Sequence, residues 1–180
     1  MSRLSPVLFT GDLPLAELHA ARLDGELVRV DECFSPVDQP DSPALRAASL
    51  ALQWPQRLIA EQHSAAWVWG ALDTPPRRHE LCASLGARAR PPAARGLTVR
   101  EVVIADDEIV AIGGQQVTVP SRTIVDLARF DPEVPRELLR SLARIGAVSL
   151  DDCRRALDRR RNLPNKRPAW ALILAALSPS

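Results

Sequence analysis

Apolar positions change period twice within the first forty residues. Leu15, Leu18 and Leu23 line one side of LPLAELHAARLDG, Asp12 stands as a capping side chain, Pro14 falls in the first turn and Gly25 is the stop. The spacing predicts a helix over 13–24. Leu27, Val28 and Val30, then Phe34 and Val37, flank Asp31-Glu32 and read as two short strands and a turn. VDQPDSP ends in Ser42 as N-cap and Pro43 as first helical residue, so a second helix is expected from Pro43 to Gln53. A short strand is expected at 57–61, and SAAWVWGAL reads as a helix capped by Ser64 and broken by Thr74-Pro75-Pro76.

Strand patterns then take over at 79–84, 97–105, 109–112 and 116–119, with Asp106-Asp107 and Gly113-Gly114 as hairpin turns. GARARPPAARG between the first two reads as an irregular exposed loop. Beyond Pro120 the pattern is helical. Ser121 caps RTIVDLARF, a helix over 134–145 stops at Gly146, Ser149 with Asp152 makes a capping box, and Pro168 opens a last helix through Leu177. This order predicts an α+β fold in three parts: a helix and hairpin over 1–40, a small, mostly antiparallel sheet with flanking helices over 41–133, and a helical tail over 134–180 packed on it.

Composition narrows the class. With 46% hydrophobic and 25% charged residues in 180, the chain is ordinary globular material, which excludes collagen, coiled coil and a wholly disordered protein. Lys166 is the only lysine among 23 basic residues, so phosphate loops, Schiff bases and lysine-dependent nuclease cores have one candidate at most, and no E-x-K stands on a strand. Cys33, Cys82 and Cys153 form no C-x-x-C pair, and His19, His63 and His79 have neither H-E-x-x-H nor finger spacing, so no metal or cofactor is expected. The longest wholly apolar run, Ala169 to Leu177, is nine residues, and the N-terminus lacks a signal-peptide core. A cytoplasmic protein with no membrane association is the expectation.

Net charge is +1, but its distribution is uneven: −5 over residues 1–75, +5 over 76–100, −5 over 101–135 and +6 over 136–180. The densest basic stretch holds Arg154, Arg155, Arg159, Arg160, Arg161, Lys166 and Arg167. It reads either as a solvated helix end matched to its dipole or as a phosphate-binding site. The helices over 134–145 and 150–161 have helix-turn-helix spacing, yet Asp151 and Asp152 at the start of the second would repel phosphate. Asp106, Asp107 and Glu108 read as a turn, and His63 beside Ser64 reads as a helix entry in which Ser64 is occupied as cap. Arg122 and Asp126 stand four apart on one helix and are expected to pair. No catalytic constellation emerges. An enzyme would need His63, His79 and Asp126 to converge.

GGQQVTVPSRTIVDLARF, the earlier IAEQHSAAWVWGAL and the opening LPLAELHAARLDGELVRV with its hairpin occur in the order found in actinobacterial proteins of the AbiEi antitoxin type, which the chain resembles. These belong to type IV toxin-antitoxin and abortive-infection systems. The motif residues are Thr118, Pro120, Arg122, Thr123 and Asp126. The resemblance implies a winged-helix DNA-binding module, truncated here to the 1–40 unit, that represses its operon as a transcriptional regulator. It also implies a following domain that counters a nucleotidyltransferase-like toxin, without the C-terminal nuclease domain of some similar proteins and without enzymatic activity. Operator DNA and a cognate toxin are the implied partners. His19, Arg22 and Arg29 would meet DNA from the helix and hairpin, helped by the arginines of 154–167 or by Arg88, Arg90 and Arg95. Asp31 and Glu32 at the hairpin tip would repel phosphate. The alternative reading is a protein-interaction module that has lost DNA binding and meets its partner through the arginine-rich C-terminal helices.

Overall fold

A computed structural model describes residues 6–85, 96–160 and 162–178. The expected loop over 86–95, with Arg88, Arg90 and Arg95, and Arg161 lie outside the described residues.

The chain opens with helix α1 (Leu15–Leu23) and an antiparallel hairpin, β1 (Leu27–Val30) and β2 (Cys33–Pro36), in which Val30 pairs with Cys33 around Asp31-Glu32. Asp12 is not the cap expected of it. Pro14 takes that position, and the Asp12 carboxylate accepts the Phe9 N–H at 3.0 Å. Nor do three leucines form an inner side. Leu18 alone is buried, against Leu27 and Phe34, because α1 packs on β1 along one narrow line; Leu15 and Leu23 stay exposed. Helix α2 (Pro43–Gln53) follows, and the Ser42 Oγ accepts the Leu45 N–H at 3.2 Å, as its N-cap position predicts.

The larger sheet contains β3 (Ile59–Ala60), β4 (His79–Ser84), β5 (Leu97–Val102), β6 (Ile109–Ile112) and β7 (Gln115–Thr118), in the order β5-β4-β3-β7-β6. Pairings β4/β5 and β3/β7 are parallel; β3/β4, β6/β7 and the separate β1/β2 are antiparallel. The hairpin expected at Asp106-Asp107 does not form, since β5 and β6 lie at opposite edges of the sheet. Asp106–Glu108 is instead one turn of 3-10 helix that turns Glu108 inward, where its carboxylate accepts the Ala105 N–H at 2.9 Å. At Gly113-Gly114 the expected turn does form, with φ of 54° and 85°. A Cβ on Gly113 would lie 2.3 Å from the Ala44 carbonyl oxygen, so the turn sits directly on α2.

Helix α3 (Gln62–Val68) starts ahead of Ser64, which is therefore inside the helix and not its cap. The helix entry is satisfied from β4: Glu80 Oε2 accepts the His63 N–H at 2.9 Å. Beyond the sheet come α4 (Pro120–Phe130), α5 (Arg136–Ile145), α6 (Leu150–Asp158) and α7 (Lys166–Leu177). Pro120 occupies the first position of α4, displacing Ser121 from the expected cap. The Ser149/Asp152 capping box forms, with the Asp152 N–H on Ser149 Oγ at 3.1 Å and the Ser149 N–H on Asp152 Oδ2 at 2.9 Å.

Two main cores result. One joins α4 to the tail through Ile124, Leu127, Leu139, Leu142, Leu157 and Ile173. The other fills the space between α2, α3 and the sheet through Leu50, Leu58, Trp67, Leu81 and Val117. Helix α4 stands between them and is buried from Arg122 to Arg129, polar residues included. Among the described residues no helix is long and apolar enough to cross a membrane.

Candidate functional site

The polar side chains of the Thr118–Asp126 motif point into the protein. Thr118 Oγ1 and Thr123 Oγ1 are 2.7 Å apart, and the Thr118 carbonyl accepts the Trp69 Nε1–H at 2.9 Å, which ties β7, α3 and the start of α4 together. Arg122 donates from Nε to Asp126 at 2.7 Å and from Nη1 to Glu108 at 2.9 Å. The expected Arg122–Asp126 pair is thus present but buried, with Asp126 wholly inaccessible. Asp126 also meets Arg129 Nη1 at 3.2 Å and Arg100 Nη2 at 3.2 Å, while Arg100 grips Glu61 with contacts of 2.5 and 2.6 Å. At the other end Arg160 binds Glu108 at 2.6 Å, and Arg159 forms two hydrogen bonds to Asp107. Cations and carboxylates alternate from β3 to the end of α6.

Burial raises the cost of each charge here, and neighbours offset it. Burial works to raise the Glu108 carboxyl, but Arg160, the Ala105 N–H and Arg122 outweigh it and hold the group below the usual carboxylate range. Burial works to lower Arg122, and Asp126 with Glu108 outweigh it and keep its pKa above the ordinary arginine value. At Glu61 burial pushes the carboxyl up, with Arg100 pulling the other way. Phe130, partly exposed, lies 4.1 Å from the Arg100 guanidinium and 4.6 Å from that of Arg129.

A second polar set lies where the hairpin meets the sheet. His79 Nε2 is 3.1 Å from Asp31 Oδ2, and His79 Nδ1 is 3.1 Å from Ser64 Oγ. Serine, histidine and aspartate in this order have the composition of a hydrolase triad. The serine oxygen is sealed, however: Ser64 has no exposed surface, and its Oγ already accepts the Glu80 N–H at 2.9 Å. The arrangement anchors the hairpin. Asp31 takes a left-handed φ of 56° at the turn, a conformation that Asp tolerates better than most residues, and its carboxylate is held by His79 and Gln53. Asp31 is therefore not the phosphate-repelling charge at the hairpin tip that the sequence suggests, because its side chain is only 7% exposed. Nothing near Asp31 in sequence marks this role, since His79 comes from a distant strand.

His63, His79 and Asp126, the residues an enzyme reading requires to converge, share no hydrogen-bond or ion-pair partner among the described residues. His63 lies between Glu80 at 2.9 Å and Asp131 at 3.4 Å, His79 between Asp31 and Ser64, and Asp126 among Arg100, Arg122 and Arg129.

The basic residues expected at a DNA interface fall into two groups that no hydrogen bond or ion pair joins among the described residues. His19 and Arg22 are exposed on α1, and the His19 ring sits edge-on to Phe34 at 5.3 Å. Arg29 is folded onto its own turn, donating to the Asp31 carbonyl and to Glu32, each at 2.7 Å. In the tail, Arg154 meets Asp158 at 2.8 Å and stacks over Trp170, Arg155 meets Asp152 at 2.5 Å, and Lys166 meets Asp158 at 2.7 Å. With Arg159 on Asp107 and Arg160 on Glu108, every described cation of the dense stretch except Arg167 has an internal carboxylate partner.

The profile of the family described as AbiEi antitoxin C-terminal domain matches residues 58–171, the segment that holds the buried ion network. Among solved structures, the chain is similar to the crystal structure of the RV2827C protein from Mycobacterium tuberculosis. The TM-score is 0.52 and the identity 18%, over 96% of this chain and 72% of that one, which is a likeness of fold. No curated protein matches.

Proposed function

This chain belongs to the AbiEi antitoxin C-terminal domain family, and from that premise we propose that it is a non-catalytic antitoxin and transcriptional regulator of a toxin-antitoxin system. It acts by recognition: operator DNA on one side, a nucleotidyltransferase-like toxin on the other. The 1–40 unit is the DNA-facing, winged-helix-like part, 41–133 is the antitoxin-like domain, and 134–180 is the helical layer packed on it. The observation that carries this reading is the closure of the motif network. Arg122, Asp126, Glu108 and Arg160 are spent on one another, so the motif supports a scaffold that shapes surfaces rather than a reaction centre.

Exposed His19 and Arg22, with Arg29, are the DNA contacts proposed for the N-terminal unit, and Arg154, Arg155, Arg159, Arg161, Lys166 and Arg167 are the supporting ones, with Arg160 the last to engage because Glu108 holds it. The test is fluorescence anisotropy of the full chain with its own upstream DNA at two ionic strengths. A site with about 6–10 phosphate contacts loses roughly 10³–10⁵ in affinity between 50 and 200 mM salt. Absence of binding at the lower salt removes the DNA half of the proposal. Rescue of growth on co-expression with a nucleotidyltransferase-like neighbour tests the other half.

A second reading is favoured by the ion pairing of the tail. Cations interleaved with Asp107, Asp152 and Asp158 present a mixed-charge surface, which suits a protein partner of complementary pattern better than a uniform polyanion. In that case an acidic or nucleic-acid-handling protein partner is pulled down with the chain and is lost when Arg159, Arg160 and Arg161 are together replaced by Ala, while DNA binding is absent throughout.

A further inference from the structure

Between the hairpin turn and the end of the larger sheet where β4 and β5 begin lies a cavity of about 560 Å³, within the size range of small-ligand sites, which favour such seams. Its polar side is Arg29, Asp31 and Glu32 from the turn, with His79 from β4. Most of these charges are committed. Asp31 is held by His79 and Gln53, and Glu32 is paired with Arg29 at 2.7 Å. Arg77 is different: it lines the cavity, is exposed, and has no hydrogen-bond or ion-pair partner among the described residues. Among the described residues that line it, the cavity is left with one uncommitted cation.

Its apolar side is planar and stiff. Trp54, held edge-on to the His79 ring at 6.5 Å, and the consecutive Pro75 and Pro76 line the same space, all partly buried. Aromatic and proline surfaces lose little conformational entropy when a flat ring is laid against them. The free guanidinium of Arg77 at the rim offers an anionic group a charge-assisted, bidentate contact.

We propose that this cavity binds a small aromatic anion, a flat ring against Trp54 and Pro75-Pro76 with one phosphate or carboxylate on Arg77. The same chemistry is supplied by a nucleoside monophosphate or by an aromatic carboxylate, and of the proposed contacts Pro75, Pro76 and Arg77 fall within the segment 58–171 that the family matches.

The test is isothermal titration of the full chain with four probes used separately: adenosine monophosphate, indole-3-acetate, adenosine and inorganic phosphate. One of the two ring-bearing anions binds with a Kd near or below about 1 mM, which identifies the source as phosphate ester or carboxylate. Adenosine and inorganic phosphate bind at least roughly tenfold more weakly than that anion. Arg77→Ala weakens binding by about tenfold or more, the scale of one charge-assisted contact, with an unchanged melting temperature because Arg77 is exposed and unpaired. Trp54→Phe, which keeps a smaller ring, weakens binding less than Trp54→Ala. The proposal is overturned by silence from both ring-bearing anions, by inorganic phosphate binding as tightly as adenosine monophosphate, or by full affinity in a folded Arg77→Ala protein.

Discussion

Replacing Asp126 by Asn removes one charge from the centre of the buried network while keeping its shape. Asp126 accepts from Arg122 at 2.7 Å, meets Arg129 and Arg100 at 3.2 Å each, and has no exposed surface. An Asn amide keeps one acceptor oxygen and turns an NH₂ donor toward guanidinium donors, so at least one arginine faces a like-polarity group. Removing one partner of a buried ion pair costs about 3–5 kcal/mol. The lower end applies here, because Arg122 retains Glu108, Arg100 retains Glu61 and Arg129 retains the Pro164 carbonyl. A loss of about 3 kcal/mol is a large share of the roughly 5–15 kcal/mol typical of a folded protein. At about 2–4 °C per kcal/mol for a chain of this size, it lowers the melting temperature by roughly 6–12 °C. Urea denaturation at pH 7, followed by circular dichroism, should show a lower midpoint at unchanged slope. A loss below about 1 kcal/mol would refute the reasoning, since it would place the energy of α4 in its apolar packing alone. The double replacement Arg122→Met with Asp126→Leu sharpens the test: it should recover part of the loss, because it removes one cation together with one carboxylate, whereas the single change leaves the buried cluster with an excess cation.

Three further outcomes follow from local geometry. Gly113→Ala should cost more than Gly114→Ala: both carry the left-handed backbone penalty of about 1–2 kcal/mol, but only at Gly113 does the new Cβ meet backbone, 2.3 Å from Ala44 O, and denaturation of the two variants side by side measures the difference. The Glu80 hydrogen bond, with Asp131 beyond it, raises the His63 pKa above its ordinary value against the effect of burial. The His63 contribution is therefore complete below about pH 6.5 and disappears as pH rises through the raised folded-state value. The stability gap between wild type and His63→Asn should shrink over that interval, and a gap independent of pH would contradict the assignment. Ser149→Ala should cost about 1 kcal/mol by opening the capping box of α6, while Ser121→Ala, at a serine that caps nothing, should cost a few tenths at most.

What could be read from the sequence depended on how far apart the interacting residues stand. Ser42 before Pro43, Gly113 beside Gly114 and Ser149 three before Asp152 each declare their geometry within a few residues, and each takes the expected place. Arg122 and Asp126 pair as helical spacing requires, yet their burial depends on Glu108, Arg100 and Arg160, which arrive from other elements. Asp31, Ser64 and Asp106 read as turn or cap residues on local chemistry. Tertiary partners reassign two of them, His79 drawing Asp31 inward and Glu80 engaging Ser64, while inward-turned Glu108 makes the segment at Asp106 a 3-10 crossing. The same limit applies to strand order, because the parallel pairings β4/β5 and β3/β7 leave no short-range signature.

The oppositely charged blocks of the chain meet one another in these contacts. The acidic 101–135 block meets the basic 136–180 block through Asp107–Arg159 and Glu108–Arg160, and the acidic first block meets the next through Glu61–Arg100. Density of arginine and availability of arginine are therefore separate quantities in this protein. Arg154 and Arg155 sit in exposed, solvent-screened pairs that stabilise little, so a phosphate can draw either away from its aspartate at small cost. Arg160 is not available on those terms, because its partner Glu108 is buried and its withdrawal would leave that carboxylate to Arg122 alone. Arg22 and Arg167, exposed and without a partner among the described residues, give up nothing on binding. A polyanion approaching the protein should engage the unpaired arginines first, the exposed pairs next and Arg160 last, an order that clustering along the chain does not give.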